Sequence, residues 1–137
     1  MRLTRTVPSM PVRRIDVSIE YYCTRIGFSV SHADDSFAKL CRDDAEIHLW
    51  VAFDDSWQER PDFRSEPVCS GAESFIAGTA SCRIDVDLVD ELYIEMAATG
   101  VLHPGDTGSP IDTDYGTREF AVLDLDGNLL TFACRRH

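Results

Sequence analysis

The sequence predicts an α+β fold in which one strand–helix–three-strand unit, βαβββ, occurs twice. The tetrapeptide RIDV stands at 14–17 and again at 83–86, each time where a strand-like run gives way to a helix-like run. FAKL at 37–40 matches FAVL at 120–123, 83 residues further along the chain. In both units, two strand-like segments flank a polar turn, which is the pattern of a β-hairpin.

The first unit contains a predicted helix over residues 18–26. Its apolar side chains recur at helical spacing, and they are Ile19, Tyr22, Cys23 and Ile26. Gly27 ends the helix, since glycine accepts the left-handed conformation common after a last helical turn. Two strands should follow on either side of the turn at 42–45.

The second unit repeats this order, with a predicted helix over 87–99 that ends at Gly100. Acidic residues crowd its first turn, where the helix dipole favours negative charge. Asp126-Gly127 predicts a tight turn within the hairpin that spans 116–134. The second strand of this unit is expected somewhere in 102–112, where the pattern is weakest.

A length of 137 residues favours a single domain. Within it we expect repeat one at about 4–53, a connecting segment at 54–78, and repeat two at about 79–135. The connecting segment is rich in Pro, Gly and Ser but also carries three aromatic residues: Trp57, Phe63 and Phe75. A bare linker needs no aromatic residues, so part of this segment should pack back over the domain.

Charge and composition exclude several functions. With 13 basic and 24 acidic residues, the chain has a formal charge of −11, which disfavours nucleic-acid binding and favours cationic partners. No segment has the length of apolar sequence that a signal peptide or membrane helix needs. The five cysteines form no CxxC pair, so we expect reduced thiols and a cytoplasmic protein; they are Cys23, Cys41, Cys69, Cys82 and Cys134.

Strand alternation sorts the side chains of residues 45–51 into two faces. One face is apolar and suits the core: Ile47, Leu49 and Val51. Glu46, His48 and Trp50 point to the other, concave side, where they suit an aromatic, cationic or hydrogen-bonding ligand. In the first strand of the second unit, the same alternation places Arg83 on the concave side.

Several motifs along the chain identify a family resemblance. The most specific are REFAV at 118–122 and DGN at 126–128; others are VP at 7–8, expected within the first strand, IGF at 26–28, DSFA at 35–38, RDD at 42–44 and DELY at 90–93. With these motifs the chain resembles the vicinal oxygen chelate superfamily, which includes glyoxalase I, extradiol dioxygenases and drug-binding resistance proteins. Within that superfamily it looks most like the bleomycin resistance proteins.

The resemblance places the metal ligands of the related enzymes at four positions of this chain: Val7, His48, Ser81 and Thr131. Only His48 carries a side chain that ligates divalent metals, and enzyme sites usually need three such ligands. We therefore expect no metal, no cofactor and no catalytic residue. Acid–base chemistry by Glu46 or Glu119 with a neighbour stays open as an alternative.

In bleomycin resistance proteins, two chains share a groove in which aromatic side chains stack on a flat part of the drug. The resemblance carries two of these aromatic positions onto Phe37 and Tyr115, and a third onto Arg83. The alternative for Phe37 is the core, whereas Tyr115, next to a glycine in a loop, is expected to be exposed. The family dimer exchanges its first strand between chains, and Pro8 is the matching hinge residue. The expected ligand-binding residues are Phe37, Glu46, His48, Trp50, Arg83 and Tyr115.

The expected function is therefore that of a metal-free, homodimeric binding protein. It would sequester a bleomycin-type glycopeptide antibiotic, which is cationic and partly aromatic. Two alternatives remain: an enzyme of the same fold acting on a small aromatic or carbonyl metabolite, and a binding protein for some other aromatic ligand.

Overall fold

The computed structural model describes residues 1–68 and 71–136, so the prediction for Cys69 lies outside the described residues. The first unit consists of β1 (Ser9–Val12), α1 (Ile15–Tyr21), a π-helical turn (Tyr22–Ile26), β2 (Ser29–Ala33), β3 (Phe37–Arg42) and β4 (Ala45–Val51). The second consists of β5 (Ser81–Asp85), α2 (Val89–Thr99), β6 (Ile111–Asp112), β7 (Thr117–Leu123) and β8 (Leu129–Arg135). A short 3-10 turn, Ser56–Glu59, lies between the units.

The two units form two four-stranded sheets with equivalent topology. Their strand orders are β1-β4-β3-β2 and β5-β8-β7-β6. In each sheet the first strand lies parallel to the last, and the remaining neighbours are antiparallel. The predicted α+β fold of two βαβββ units is confirmed, and both helices end at the predicted glycines, Gly27 and Gly100.

One observation behind that prediction was wrong in detail. The RIDV segment at 83–86 lies mainly in β5, but its counterpart at 14–17 opens α1, which begins at Ile15 rather than at residue 18. The first strand ends earlier, at Val12, and Val7-Pro8 precedes this strand instead of lying within it. The shared tetrapeptide therefore does not mark equivalent positions, whereas FAKL and FAVL do mark the equivalent strands β3 and β7.

The core lies between the helices and one face of each sheet. It contains Ile47 and Leu49, as predicted, together with Leu130 and Phe132, and all four are nearly inaccessible to solvent. Tyr22 is fully buried among them, although it carries a hydroxyl group. Such a group needs a hydrogen-bond partner when it is buried, and the turn between β7 and β8 supplies one.

That turn carries Asp124, whose carboxylate is almost completely buried. Its Oδ1 accepts three backbone N–H groups, those of Asp126, Gly127 and Asn128, at 2.9, 3.0 and 2.9 Å. Its Oδ2 accepts the Tyr22 hydroxyl at 2.9 Å and the Asn128 amide at 2.8 Å. Burial nevertheless raises the pKa of Asp124, against the opposing effect of these hydrogen bonds.

Asn128 extends this network to the rest of the molecule. Its amide also donates to the Pro11 carbonyl of β1 at 2.9 Å, and its Oδ1 accepts the Ala80 N–H at 3.0 Å. The turn therefore connects the first strand and first helix of unit one with the chain that enters unit two.

The connecting segment packs back over the domain in part, but not through the predicted aromatic residues, since Phe63 and Phe75 are each 57% exposed. Ala72, Glu73 and Ser74 are buried, and Asp54 N–H donates to the Glu73 carbonyl at 2.9 Å. None of the helices in the described ranges is long and apolar enough to cross a membrane.

Candidate functional site

The side of the first sheet that faces away from the helices carries a cluster that we call the first open face: Phe37, Lys39, Glu46, His48 and Trp50. Strands β3 and β4 are paired so that Phe37 lies opposite Trp50 and Lys39 opposite His48. Partners in an antiparallel pair point to the same side of a sheet. The register thus brings together the four residues predicted on this sheet.

Three rings form a contiguous aromatic surface on the first open face. The centroid of Phe37 lies 5.0 Å from that of His48, with the rings nearly perpendicular, and 4.6 Å from that of Trp50. Asp34 fixes the start of β3, because its Oδ1 accepts the Phe37 N–H at 2.9 Å. Phe37 is half-buried rather than part of the core, so the core alternative for this residue is not what the fold shows.

Trp50 is less available than the other two rings. Gly71, in the connecting segment, lies so close to the indole that a Cβ on this residue would fall 2.3 Å from Nε1 and from Cε2. The indole Nε1 is buried and has no hydrogen-bond partner among the described residues. Gly71 thus covers the Nε1 edge of the indole on the first open face.

Glu46 is the buried charge of this face, with its side chain only 8% exposed. Its Oε2 lies 2.8 Å from Nε2 of His48, and its Oε1 lies 3.1 Å from Nη2 of Arg5 and 3.6 Å from Nζ of Lys39. Partial desolvation opposes ionisation, but these partners outweigh it and hold the pKa of Glu46 below its usual value. Glu46 is therefore an ionised carboxylate beside a flat aromatic surface.

The second open face lies on the equivalent side of the other sheet, and its residues are Arg83, Tyr115, Thr117 and Glu119. Glu119 is their common partner. It accepts hydrogen bonds from Arg83 Nη2 at 2.6 Å, the Tyr115 hydroxyl at 2.9 Å and the Thr117 hydroxyl at 2.9 Å. Desolvation opposes ionisation here too, yet the three donors lower the pKa of Glu119.

A cavity of about 510 Å³ opens beside these residues. Its walls include Arg83, Thr117 and Arg135, and its floor includes the buried Ala133. Tyr115 is 65% exposed, as its place next to a glycine in a loop suggested. The second open face is thus polar and ionic, with one exposed aromatic ring.

The six predicted ligand-binding residues therefore fall into two groups, four on the first open face and Arg83 and Tyr115 on the second. No hydrogen bond or ion pair between described side chains joins the two groups. Sequence reasoning missed Lys39 and Arg5 as partners of Glu46. Strand alternation could have revealed Lys39, which is two residues from Phe37, whereas nothing in the sequence pointed to Arg5.

The residues present do not fit a metal ion of the kind that enzymes with this fold use. Of the four equivalent positions, Val7, Ser81 and Thr131 lack a strong ligating group, and His48 Nε2 already contacts Glu46. Over residues 1–68 and 71–136, no three His, Cys, Asp or Glu side chains are grouped to hold a metal. We therefore derive no metal-dependent step for this chain.

Comparison with known proteins complements this geometry. Residues 2–132 match the model of the Glyoxalase/Bleomycin resistance protein/Dioxygenase superfamily. The chain is 46% identical over 130 residues to proteins named "Bleomycin resistance protein" from Geobacillus stearothermophilus and Staphylococcus aureus, an alignment that covers 95% of this chain and 96% of each relative.

Solved structures share the fold at lower sequence identity. A bleomycin-binding protein from Streptomyces verticillus, complexed with copper(II)-bleomycin, is 23% identical with a TM-score of 0.67, over 96% of both chains. A bleomycin resistance determinant encoded on transposon Tn5 is 19% identical with a TM-score of 0.69, over 98% of this chain and 100% of that one.

Proposed function

Because the chain belongs to the Glyoxalase/Bleomycin resistance protein/Dioxygenase superfamily, as a member of the bleomycin resistance type, we propose that it binds a bleomycin-type antibiotic and sequesters it. The observation that carries this proposal is the 46% identity to curated bleomycin resistance proteins along nearly the whole of both chains. The protein would act stoichiometrically in the cytoplasm, by keeping the drug away from its target, and no bond of the drug would be broken.

The two open faces suit complementary parts of such a ligand. Flat heteroaromatic rings stack favourably on exposed aromatic side chains, which Phe37 and His48 provide. A cationic group next to those rings meets the ionised Glu46. Hydrogen-bonding groups of the ligand can be accommodated on the second open face beside Arg83 and Thr117, where a cavity is available.

We further propose that the working unit is a homodimer in which the first open face of one chain completes the second open face of its partner. This proposal is supported by the separation of the predicted site residues into two groups on one chain. Pro8 is the proposed hinge for exchange of the preceding residues, and its carbonyl accepts the His48 N–H at 3.0 Å, at the point where β1 begins. Exchange of an identical element is a low-cost route to a dimer.

Calorimetric titration with copper(II)-loaded bleomycin tests the proposed ligand. We expect saturable binding at one drug per chain, together with quenching of tryptophan fluorescence, because Trp50 adjoins the stacking rings. A titration with neither heat nor quenching at micromolar drug would refute the proposal. Recovery of unmodified drug after denaturing the complex is expected, and a chemically altered drug would instead indicate an enzyme.

Light scattering tests the dimer separately. The expected mass is twice that of the 15.4 kDa chain. A clean monomer at the concentration that binds the drug would contradict the shared groove and would require both faces to act within one chain.

The Glu46–His48 pair supports a second candidate, an acid–base enzyme acting on a small aromatic or carbonyl compound. A carboxylate 2.8 Å from a histidine nitrogen orients the ring, as general acid–base catalysis by histidine requires. The discriminating variant is His48→Gln, which keeps a hydrogen-bonding side chain but cannot transfer protons at neutral pH. A wild-type protein that binds the drug but turns over no carbonyl substrate would support sequestration, whereas turnover of a carbonyl substrate that this variant abolishes would support the enzyme.

A further inference from the structure

Arg83 and Glu119 form an ion pair that crosses the middle of the second open face. Arg83 belongs to β5 and Glu119 to β7, and β8 lies between these two strands. The register places Arg83 beside Thr131 and Glu119 beside Ala133. Since Arg83 Nη2 lies 2.6 Å from Glu119 Oε2, the long arginine side chain extends across β8, over these two small residues.

The small side chains on β8 make this arrangement possible. Residues two apart on a strand point to the same side of a sheet, so Thr131 and Ala133 form a low floor between β5 and β7. Ala133 is only 2% exposed although it lies on the open side, as expected beneath a side chain that lies along the sheet. The Arg83 side chain is 44% exposed, against 17% for Glu119. The guanidinium therefore belongs to the outer surface of this face, and the carboxylate lies deeper.

Glu119 holds the guanidinium in one orientation. Its Oε2 also accepts the Thr117 hydroxyl at 2.9 Å, and its Oε1 accepts the Tyr115 hydroxyl at 2.9 Å, so the carboxylate cannot turn without breaking contacts on both oxygens. A guanidinium is planar and donates from its edge, which leaves the faces of the plane free. The long Arg83 side chain is thus ordered before a ligand arrives, and binding does not have to order it.

The pair suits a flat ring of a cationic ligand. A guanidinium stacks on aromatic faces, and the cavity of about 510 Å³ beside Arg83 gives such a ring room. Because Glu119 offsets the charge of Arg83, the pair carries no net charge that would repel a cationic drug. In the proposed dimer, a ring between the two open faces would meet an aromatic side chain on one side and a flat cation on the other.

We propose that the Arg83 guanidinium is a stacking surface for a flat, uncharged ring of the ligand, and that Glu119 is the residue that positions it. This inference rests on the proposed function, because the ring is assigned to a bleomycin-type drug. It also gives the drug a direction in the groove, with its uncharged rings over Arg83 and its cationic group at Glu46. Contact through the plane differs from a role as a charge or a hydrogen-bond donor, and the two roles predict opposite results.

Two replacements of Arg83 separate the plane from the charge. Arg83→Lys keeps the charge and a donor but has no plane, so it should bind copper(II)-bleomycin about three- to tenfold more weakly than wild type. Arg83→Trp keeps a flat surface without the charge and should bind within about threefold of wild type. Arg14→Lys is the matched control, because Arg14 also pairs with a carboxylate, 2.7 Å from Asp16, but lies at the start of α1, away from both open faces.

Glu119→Gln tests the positioning role through a double-mutant cycle. This variant keeps a hydrogen-bonding side chain but removes the ion pair that orients the guanidinium, so affinity should fall by about two- to fivefold when Arg83 is present. In the Arg83→Trp background it should have no effect, since the indole needs no carboxylate, whereas a residue that only stabilised the fold would weaken binding in both backgrounds. Titration calorimetry measures each affinity, and a thermal melt checks that each variant is folded. Arg83→Phe is the second flat replacement should the tryptophan variant not fold.

The outcomes distinguish this inference from the proposed function. Weak binding by Arg83→Lys together with retained binding by Arg83→Trp supports the stacking role. If wild type binds the drug and Arg83→Lys binds it equally well, Arg83 does not act through its plane, so the stacking role is refuted and sequestration stands. Equal losses in Arg83→Lys and Arg83→Trp also refute it, because a flat ring would then not replace the guanidinium. If wild type does not bind the drug, sequestration and stacking are both refuted.

Discussion

The two βαβββ units of this chain share their strand order, their helix endings and the parallel pairing of first and last strands, but they differ where each hairpin turns. In the first unit the turn between β3 and β4 is exposed at Asp43 and Asp44. In the second unit the corresponding turn is buried at Asp124 and Asn128 and holds other parts of the chain. The same topology thus has an exposed turn in the first unit and, in the second, a buried turn at 124–128 that holds other parts of the chain and that we call the anchor.

Their open faces differ in the opposite sense. On the second open face, Glu119 is bound by three donors from its own unit, so its charge is already satisfied. On the first, Glu46 is shared among Arg5, Lys39 and His48, and the half-buried rings of Phe37 and His48 lie on the same face. The charge of the second open face is thus bound within its own unit, whereas the first open face combines an ionised carboxylate with aromatic rings that suit a ligand.

The largest expected effect comes from breaking the anchor. Asn128→Ala would leave the part-buried Ala80 N–H without its partner, remove one donor from Asp124, and leave the Pro11 carbonyl with only the Gly78 N–H, at 3.3 Å, as a donor. Since an unpaired polar group costs about 1–3 kcal/mol and a lost hydrogen bond about 0.5–1.5 kcal/mol, we expect a loss of roughly 2–4 kcal/mol in the free energy of unfolding, measured by urea denaturation. Asp44→Ala in the exposed turn of the first unit is the control and should change stability little. Equal losses in the two variants would show that the turns do not differ as described.

The aromatic surface gives the next effect, on ligand affinity. Phe37→Ala removes the ring that contacts both His48 and Trp50, so affinity for copper(II)-bleomycin should fall by about tenfold. Phe75→Ala is the matched control, because Phe75 is an exposed ring (57%) in the connecting segment. Isothermal titration measures affinity, and a parallel melt measures stability. A loss of stability with unchanged affinity would place Phe37 in the core and refute the site.

Gly71 determines how much of the Trp50 indole is exposed on the first open face. A methyl group on this residue cannot fit against the indole, so Gly71→Ala should displace residues 71–74 at a cost of about 1–3 kcal/mol, as overpacking usually does. In a Trp57→Phe background, where Trp50 is the only tryptophan left, the emission maximum should move to longer wavelength as the indole becomes exposed. Gly105→Ala, where a Cβ meets only the His103 ring at 3.2 Å, should leave the spectrum unchanged.

The elements and the face assignments could be read from the sequence because they follow from local periodicity. Alternation placed Glu46, His48 and Trp50 on one side of β4, and the glycine after each helix marked its end. The short β6 was hard to locate, since Ile111–Asp112 gives too few residues for any alternation.

The rest depended on contacts between residues distant in sequence. RIDV suggested a false alignment of the units because four residues carry too little information to distinguish a strand end from a helix start. The role of Asn128 required knowledge that the Pro11 carbonyl, 117 residues away, lies beside it. The approach of Gly71 to Trp50 and of Arg5 to Glu46 likewise has no periodic signature.

The smallest expected effect concerns the acid response of the second open face. Since the pKa of Glu119 is lowered in the folded protein from an ordinary value of 4.5, its contribution to stability is complete above that value and is lost as the pH falls through the lowered pKa. Glu119→Gln has no charge to lose, so its melting temperature should decline less steeply than that of wild type between neutral and strongly acidic pH. Glu20→Gln, an exposed position on α1, should follow the wild-type curve. Asp124 has the opposite effect on stability, because its raised pKa makes its contribution to the free energy of unfolding more favourable at low pH. Parallel curves for wild type and Glu119→Gln would mean that Glu119 is not held by its three donors. The two carboxylates of this hairpin would then not differ as the structure indicates.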